Sequence, residues 1–133
     1  MVSLERIMSH YFKTIHEQAS IEEVAQKLWD VDLGALLVVR NGIPVGMVTE
    51  EDILKAVAQG KDLAQTSVID IIDQGLNTIP LTKPLREVLD EMRGLGVQHL
   101  VVQHEGQTVG IVTLRDILVN LGGLFEQKVV KGS

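Results

Sequence analysis

Two threonine–aspartate pairs have the most suggestive spacing in this sequence. Thr49 and Thr113 each precede an aspartate, Asp52 and Asp116, by three residues. A hydroxyl residue followed at that distance by a carboxylate is a helix-start pattern. The hydroxyl caps an orphan backbone N–H, and the acid is favoured by the positive end of the helix dipole. The same groups could also hold hydroxyl or anionic oxygens of a ligand. Both threonines are caps under either reading, so they do not separate the two. Other chemistry is scarce. The chain has no cysteine, which removes thiolate metal sites and cysteine nucleophiles. His10, His16, His99 and His104 form no metal-type pair on one helix face. Gly94 and Gly96 lack the third glycine of a dinucleotide fingerprint. No Ser-His-Asp or lysine-based constellation is present, so the chain is read as non-enzymatic, with no catalytic residues and no metal site.

The elements that position the two pairs come from an internal repeat. Placing Gly46 over Gly110, a shift of 64 residues, lays Met8–Leu54 on Ile72–Leu118 without a gap. Identities include Thr14/Thr78, Glu23/Glu87, Val24/Val88, Val38/Val102, Gly42/Gly106, Thr49/Thr113, Asp52/Asp116 and Leu54/Leu118. Each copy begins with a short extended piece, Tyr11–Ile15 and then Leu76–Ile79. A helix follows. Ser20 with Glu23 forms a capping box in the first copy, while Thr82 caps and Pro84 sits near the first turn in the second. Ile21, Val24, Ala25, Leu28 and Val31 recur at helical spacing, as do Leu85, Val88, Leu89 and Met92. Trp29 is expected to widen the buried stripe of the first of these helices.

Apolar strands Ala35–Val39 and His99–Gln103 come next. Asn41-Gly42, a strong hairpin signal, and the weaker Glu105-Gly106 return the chain into Val45–Val48 and Val109–Val112. Thr49 and Thr113 then open a second helix in each copy, ending near Gly60 and at Gly122-Gly123. The fold class is thus α/β (α+β), with two tandem β-α-β-β-α repeats. The expected divisions are a first repeat over 1–60 (motif core 8–58), a linker over 61–67, a second repeat over 68–125 and a tail over 126–133. One unit alone is too small to bury both faces of its sheet, so the repeats are expected to share a core. The last helix, with Ile117, Leu118, Val119, Leu121, Leu124 and Phe125, is apolar on more than one side, which suggests cover by a partner chain.

Composition narrows the function classes. Apolar residues make up 45% of the 133, which is globular, and aromatics only 3%, so aliphatic side chains fill the core. The net charge of −6 with scattered basic residues argues against nucleic acid. No apolar run is long enough to span a bilayer, and the first residues do not form a signal segment. A cytoplasmic protein with no membrane association is the simplest expectation.

The segments Gly46-Met47-Val48-Thr49-Glu50-Glu51-Asp52 and Gly110-Ile111-Val112-Thr113-Leu114-Arg115-Asp116 resemble the signature of cystathionine-beta-synthase (CBS) domains. The strands before them, Leu33–Val39 and Val97–Val102, also look like the family's. The resemblance spans about Met8 to Leu121 and identifies the chain as similar to a stand-alone tandem CBS pair, or Bateman module. It implies two clefts related by pseudo-two-fold symmetry, regulatory binding of AMP, ADP or ATP, and often a disc-like homodimer. AMP is the first candidate, because neither signature carries a full set of phosphate-binding cations. No cofactor is obligatory, and the effector would be a separate protein or the dimer itself.

The resemblance also implies the roles. Asp52 and Asp116 would accept hydrogen bonds from ribose hydroxyls, and Met47 and Ile111 would pack against adenine. One cleft would combine Ile111, Thr113 and Asp116 with Lys13, Gly34 and Ala35. The other would combine Met47, Thr49 and Asp52 with Asn77, Gln98 and His99. His99 stands where relatives often carry a phosphate-binding arginine. Arg115 would lie near a phosphate, whereas Glu51, at its place in copy one, would repel one. Two further readings stand beside this: a ligand-free dimerisation or docking scaffold, its cleft plugged by Trp29 or Phe125, and a sensor of S-adenosylmethionine or another adenosyl ligand.

Overall fold

A computed structural model of the chain describes residues 2–121. In chain order the elements are α1 (Leu4–Ile7), β1 (Thr14–His16), α2 (Ile21–Trp29), β2 (Ala35–Arg40), β3 (Ile43–Thr49), α3 (Glu50–Ala58), a 3-10 turn at Val68–Asp70, β4 (Thr78–Pro80), α4 (Leu85–Leu95), β5 (His99–His104), β6 (Gln107–Thr113) and α5 (Leu114–Asn120). The expected β-α-β-β-α order is present twice. Two three-stranded sheets result, ordered β1-β2-β3 and β4-β5-β6. In each, the first strand runs parallel to the second and the second antiparallel to the third. The chain groups into two compact units: Phe12–Leu76, and Met1–Tyr11 together with Asn77–Ser133.

In the Phe12–Leu76 unit the core follows from the two periodicities in the sequence. Val24 and Leu28 lie on one face of α2 and meet Leu36, Val38 and Val48 from the sheet. Val68 closes this core from the 3-10 turn. Ala35 and Leu37, on the opposite face of β2, are buried as well. A strand buried on both faces must be a continuous apolar run, as Ala35–Val39 is.

The other unit is built in the same way, but its core is completed from the chain's N-terminal end. Leu4 and Met8 join Ile79, Leu85, Val88, Met92, Leu100, Val102, Val112 and Ile117. Ser9 fixes the segment by exchanging two backbone hydrogen bonds with Ile111, at 2.8 and 3.0 Å.

Both hairpins turn as the sequence indicates. Asn41 and Glu105 each have φ of 51°, followed by Gly42 at 77° and Gly106 at 76°. Positive φ at both central residues fits the tight turn whose twist matches a hairpin. Asparagine tolerates this backbone better than glutamate, which is why the second signal is weaker in the sequence.

Several expectations need correction. The first strands are shorter and shifted later than Tyr11–Ile15 and Leu76–Ile79. Trp29 is 88% exposed and does not widen the buried stripe. It is the last residue of α2 and stands one turn beyond Ala25, on the flank of the stripe where the helix stops. Ser20 gives half a capping box: its Oγ accepts from the Glu23 N–H and donates to Oε1 of Glu23. Thr82 does not cap α4, whose N-cap is Pro84 without a side-chain bond. The segment read as a linker is pinned to α2, because the Ile21 and Glu22 N–H groups donate to the Thr66 and Leu63 carbonyls. The expected α5 end at Gly122-Gly123, Phe125 and the tail lie outside the described residues.

Candidate functional site

The start of each post-hairpin helix holds the sequence-predicted residues together. In the Phe12–Leu76 unit, the Thr49 N–H donates to Oδ2 of Asp52 at 2.9 Å, and the Asp52 N–H donates to Oγ1 of Thr49 at 3.4 Å. The Thr49 hydroxyl also donates to Oδ2, at 3.2 Å. In the other unit, the Thr113 N–H donates to Oδ2 of Asp116 at 3.0 Å, and the Asp116 N–H to Oγ1 of Thr113 at 3.0 Å. Both are complete capping boxes. The structural role of the aspartates is therefore real. It uses one carboxylate oxygen, and Oδ1 of each makes no hydrogen bond among the described residues. An acceptor with lone pairs to spare at a half-buried helix start is suited to a hydroxyl donor.

Strand pairing sets the neighbours. Ala35 lies opposite Thr49, and His99 opposite Thr113. The Gly34 carbonyl accepts from the Glu50 N–H at 3.2 Å, and the Gln98 carbonyl from the Leu114 N–H at 2.9 Å. Gly34 has φ of 76°, a backbone that favours glycine. The Lys13 and Asn77 carbonyls accept from the Leu37 and Val101 N–H groups, which ties each early segment to the middle strand of its sheet. The described geometry thus joins each signature to the early strand of its own repeat: Lys13, Gly34 and Ala35 with Thr49 and Asp52, and Asn77, Gln98 and His99 with Thr113 and Asp116.

These bonds also limit what the helix starts can offer. At α3 the first amide is bound to Gly34 and the third to Thr49. That leaves the Glu51 N–H as the first-turn amide without a partner among the described residues. Glu50 and Glu51 are exposed, while Asp52 is half-buried. At the start of α5 the corresponding residue is Arg115, also exposed.

The two apolar signature residues are not equivalent. Met47 is partly exposed, whereas Ile111 is 0% exposed and presents no surface to a ligand in this conformation.

Two features lay outside the sequence reading. The signature glycines are docking points for chain segments. A Cβ on Gly110 would stand 2.6 Å from the Ser9 carbonyl oxygen, and one on Gly46 would stand 2.8 Å from Cδ1 of Ile72. The signal was available, since a glycine inside a strand marks close approach of another backbone. The second feature is an ion pair. Arg40 donates from Nε and Nη2 to the two oxygens of Glu17, at 2.6 and 2.8 Å. Glu17 is only 8% exposed, and its hydrogen bond from the Arg40 guanidinium holds its carboxyl below the usual glutamate range. Leu81 and His104 occupy the equivalent positions in copy two, so no repeat logic pointed to it.

The family pattern for CBS domains matches residues 4–59 and 62–123. The chain belongs to the CBS-domain family. The CBS domain-containing protein YhcV of Bacillus subtilis is 31% identical over 121 residues, covering 90% of this chain and 86% of that protein. An uncharacterized Methanopyrus kandleri protein, MK0525, is 32% identical over 99 residues, covering 72% of this chain, which spans half of that protein's length.

Among solved structures, the CBS domain protein PAE2072 from Pyrobaculum aerophilum, complexed with AMP, superimposes with a TM-score of 0.78 at 29% identity, over 92% of this chain and 99% of that one. The CBS domain pair of protein MJ0100, in complex with 5′-methylthioadenosine and S-adenosyl-L-methionine, gives a TM-score of 0.80 at 29% identity, over 90% and 99% of the two chains. The tandem CBS fold expected from the sequence is therefore present. No helix among the described residues is long and apolar enough to cross a membrane. No group of His, Asp and Glu there is arranged to hold a metal ion.

Proposed function

We propose that this chain is a regulatory module that binds an adenosine-containing ligand and passes the binding event to a partner protein or to its own dimer. The observation that carries this reading is the pair of complete Thr–x–x–Asp boxes, each with Oδ1 of its aspartate making no hydrogen bond among the described residues, in a chain of the CBS family. The ribose hydroxyls of the ligand donate to Asp52 or Asp116. Lys13, Gly34, Ala35, Met47, Thr49, Asn77, Gln98, His99, Ile111, Thr113 and Arg115 form the surroundings. Binding in the second repeat requires Ile111 to be uncovered. AMP, the ligand of the Pyrobaculum aerophilum relative, is the first candidate across the molecule. The module has no catalytic role, works in the cytoplasm, and shifts its target by binding one conformation better than another.

A thermal-shift panel with AMP, ADP, ATP, NAD, S-adenosylmethionine and GMP, each at about a millimolar, tests this. Ligand at 100 times its dissociation constant adds roughly 2.7 kcal/mol of stability. A shift confined to adenine compounds is expected. No shift with any of them would defeat the reading.

A second reading, a dimerisation or docking scaffold, is favoured by exposed apolar side chains on the post-hairpin helices. Leu54 on α3 is 70% exposed and Val119 on α5 is 69% exposed. Apolar helix faces of this kind suit a partner surface. A sedimentation measurement that finds a dimer without any ligand response would favour it.

A further inference from the structure

We infer that the segment Leu4–Ser9 is a releasable strap that clamps the second-repeat signature, so that this repeat, and not the first, is loosened by a local opening of the folded chain. Connectivity is the first observation. The unit built on Asn77–Ser133 takes Met1–Tyr11 as a separate piece of chain. The covalent path between the two pieces runs through all of Phe12–Leu76, so the strap is held in its unit by non-covalent contacts alone. At the first-repeat signature the segment in the same role is continuous with its own unit. Gln74 bridges to Gly46 there, and the Gly75 N–H donates to the Val45 carbonyl at 2.8 Å.

The second observation is how the strap is held. α1 is a single turn with no side-chain bond at its N-cap, Ser3, and is far shorter than a helix stable by itself in water. Its anchors are the buried side chains of Leu4 and Met8 and the two backbone bonds between Ser9 and Ile111. A segment with so few anchors opens at a lower free energy than the core around it. Nε2 of His10 hydrogen-bonds the Glu5 carbonyl at 2.8 Å, which ties the two ends of the strap together, so it leaves as one piece.

Third is where the strap lies. Ser9 occupies the outer edge of β6 at Ile111, two residues before Thr113. The Met8 sulfur and the Ser9 carbonyl sit against Gly110. On the other side of the Thr113–Asp116 box, α1 packs against α5, and Ile117, the residue after Asp116, shares a core with Leu4 and Met8. The docked strap thus fixes the backbone before the box and the side chain after it. Its release returns β6 to an open edge and thins that core, while the Thr49–Asp52 box keeps its supports.

Amide hydrogen exchange of the full chain, read residue by residue by NMR without ligand, tests this. The Ser9 and Ile111 N–H groups report the strap. The Val101 N–H, which donates to the Asn77 carbonyl, reports the core of the same unit. After correction for each residue's unfolded-chain rate, Ser9 and Ile111 should exchange together and at least about tenfold faster than Val101. Met8→Ala should speed exchange at Ser9, Ile111 and Asp116 by roughly tenfold or more, because it removes a buried anchor, and leave Asp52 and Gly75 unchanged. Leu4→Ala, at the far end of the strap, should reproduce that pattern, and it replaces Met8→Ala if that variant does not fold. Ser9 and Ile111 protected as fully as Val101 in the parent chain would overturn the inference, since the strap would then open only with its whole unit. Variants that speed Ser9 and Ile111 but leave Asp116 unchanged would also overturn it, because the strap would not clamp the box. A response at Asp52 equal to that at Asp116 would do the same.

Discussion

Gly110 lies against Ser9 so closely that a Cβ added to it would stand 2.6 Å from the Ser9 carbonyl oxygen. That carbonyl accepts from the Ile111 N–H, so it cannot retreat without breaking the bond that holds the N-terminal segment in place. At the matching position, Gly46, the nearest atom is the end of the Ile72 side chain, although the Asp73 carbonyl oxygen is next at 3.3 Å. A side-chain tip can turn aside, whereas a paired backbone cannot. Gly110→Ala is therefore expected to cost about 1–3 kcal/mol, in the range of core overpacking, and Gly46→Ala less. Urea unfolding of the two variants beside the parent chain measures the difference. Equal losses would show that both glycines are constrained alike.

The aspartates have two roles that substitution can separate. Asp52→Ala and Asp116→Ala remove a capping box and are each expected to lower stability by about 0.5–2 kcal/mol even without ligand. Asp→Asn keeps an oxygen for the threonine N–H and is expected to retain most of that stability while losing the adenosyl response. Melting curves with and without ligand on the four variants decide it. An Asn variant that keeps the full ligand shift would assign the aspartate to capping alone.

The Glu17–Arg40 pair makes stability depend on pH. Its carboxyl pKa is depressed in the folded chain, chiefly by the hydrogen bond from Arg40. A depressed folded pKa means the unfolded chain binds the proton more readily. The pair's contribution is therefore fully present above the ordinary glutamate pKa of about 4.3 and is lost as pH falls through the folded value. Glu17→Gln should lower the melting temperature at pH 7 and flatten its decline between pH 5 and pH 3. A variant whose melting profile parallels the parent's across that range would remove the pair from the acid response.

Glu105 occupies the same backbone position as Asn41, both with φ of 51°. A left-handed conformation strains glutamate more than asparagine. Glu105→Asn is expected to stabilise by roughly 0.5–1 kcal/mol, and Asn41→Glu to destabilise by a similar amount. Thermal unfolding of both variants measures the pair of effects. A null result at both turns would mean that the strands, not the turns, set this geometry.

The sequence by itself determined what acts over short separations. The repeat offset, the alternation from helical stripe to apolar strand, the Asn41-Gly42 turn and the Thr–x–x–Asp caps all depend on residues a few positions apart. Each is found where its local pattern placed it. The candidate site was legible to the same extent, because its aspartates sit on their own caps.

Tertiary structure decided everything that joins distant segments. Ser9 pairs with Ile111 across a hundred residues of chain, and nothing in Met8-Ser9-His10 declares that partner. The same holds for the burial of Ile111 against the exposure of Met47, and for the Glu17–Arg40 pair. Trp29 is exposed because α2 ends beneath it, a boundary that apolar periodicity does not mark. Burial depends on what the rest of the chain brings alongside, so equal residues at equal positions in two repeats acquire unequal surroundings, and with them unequal chemistry.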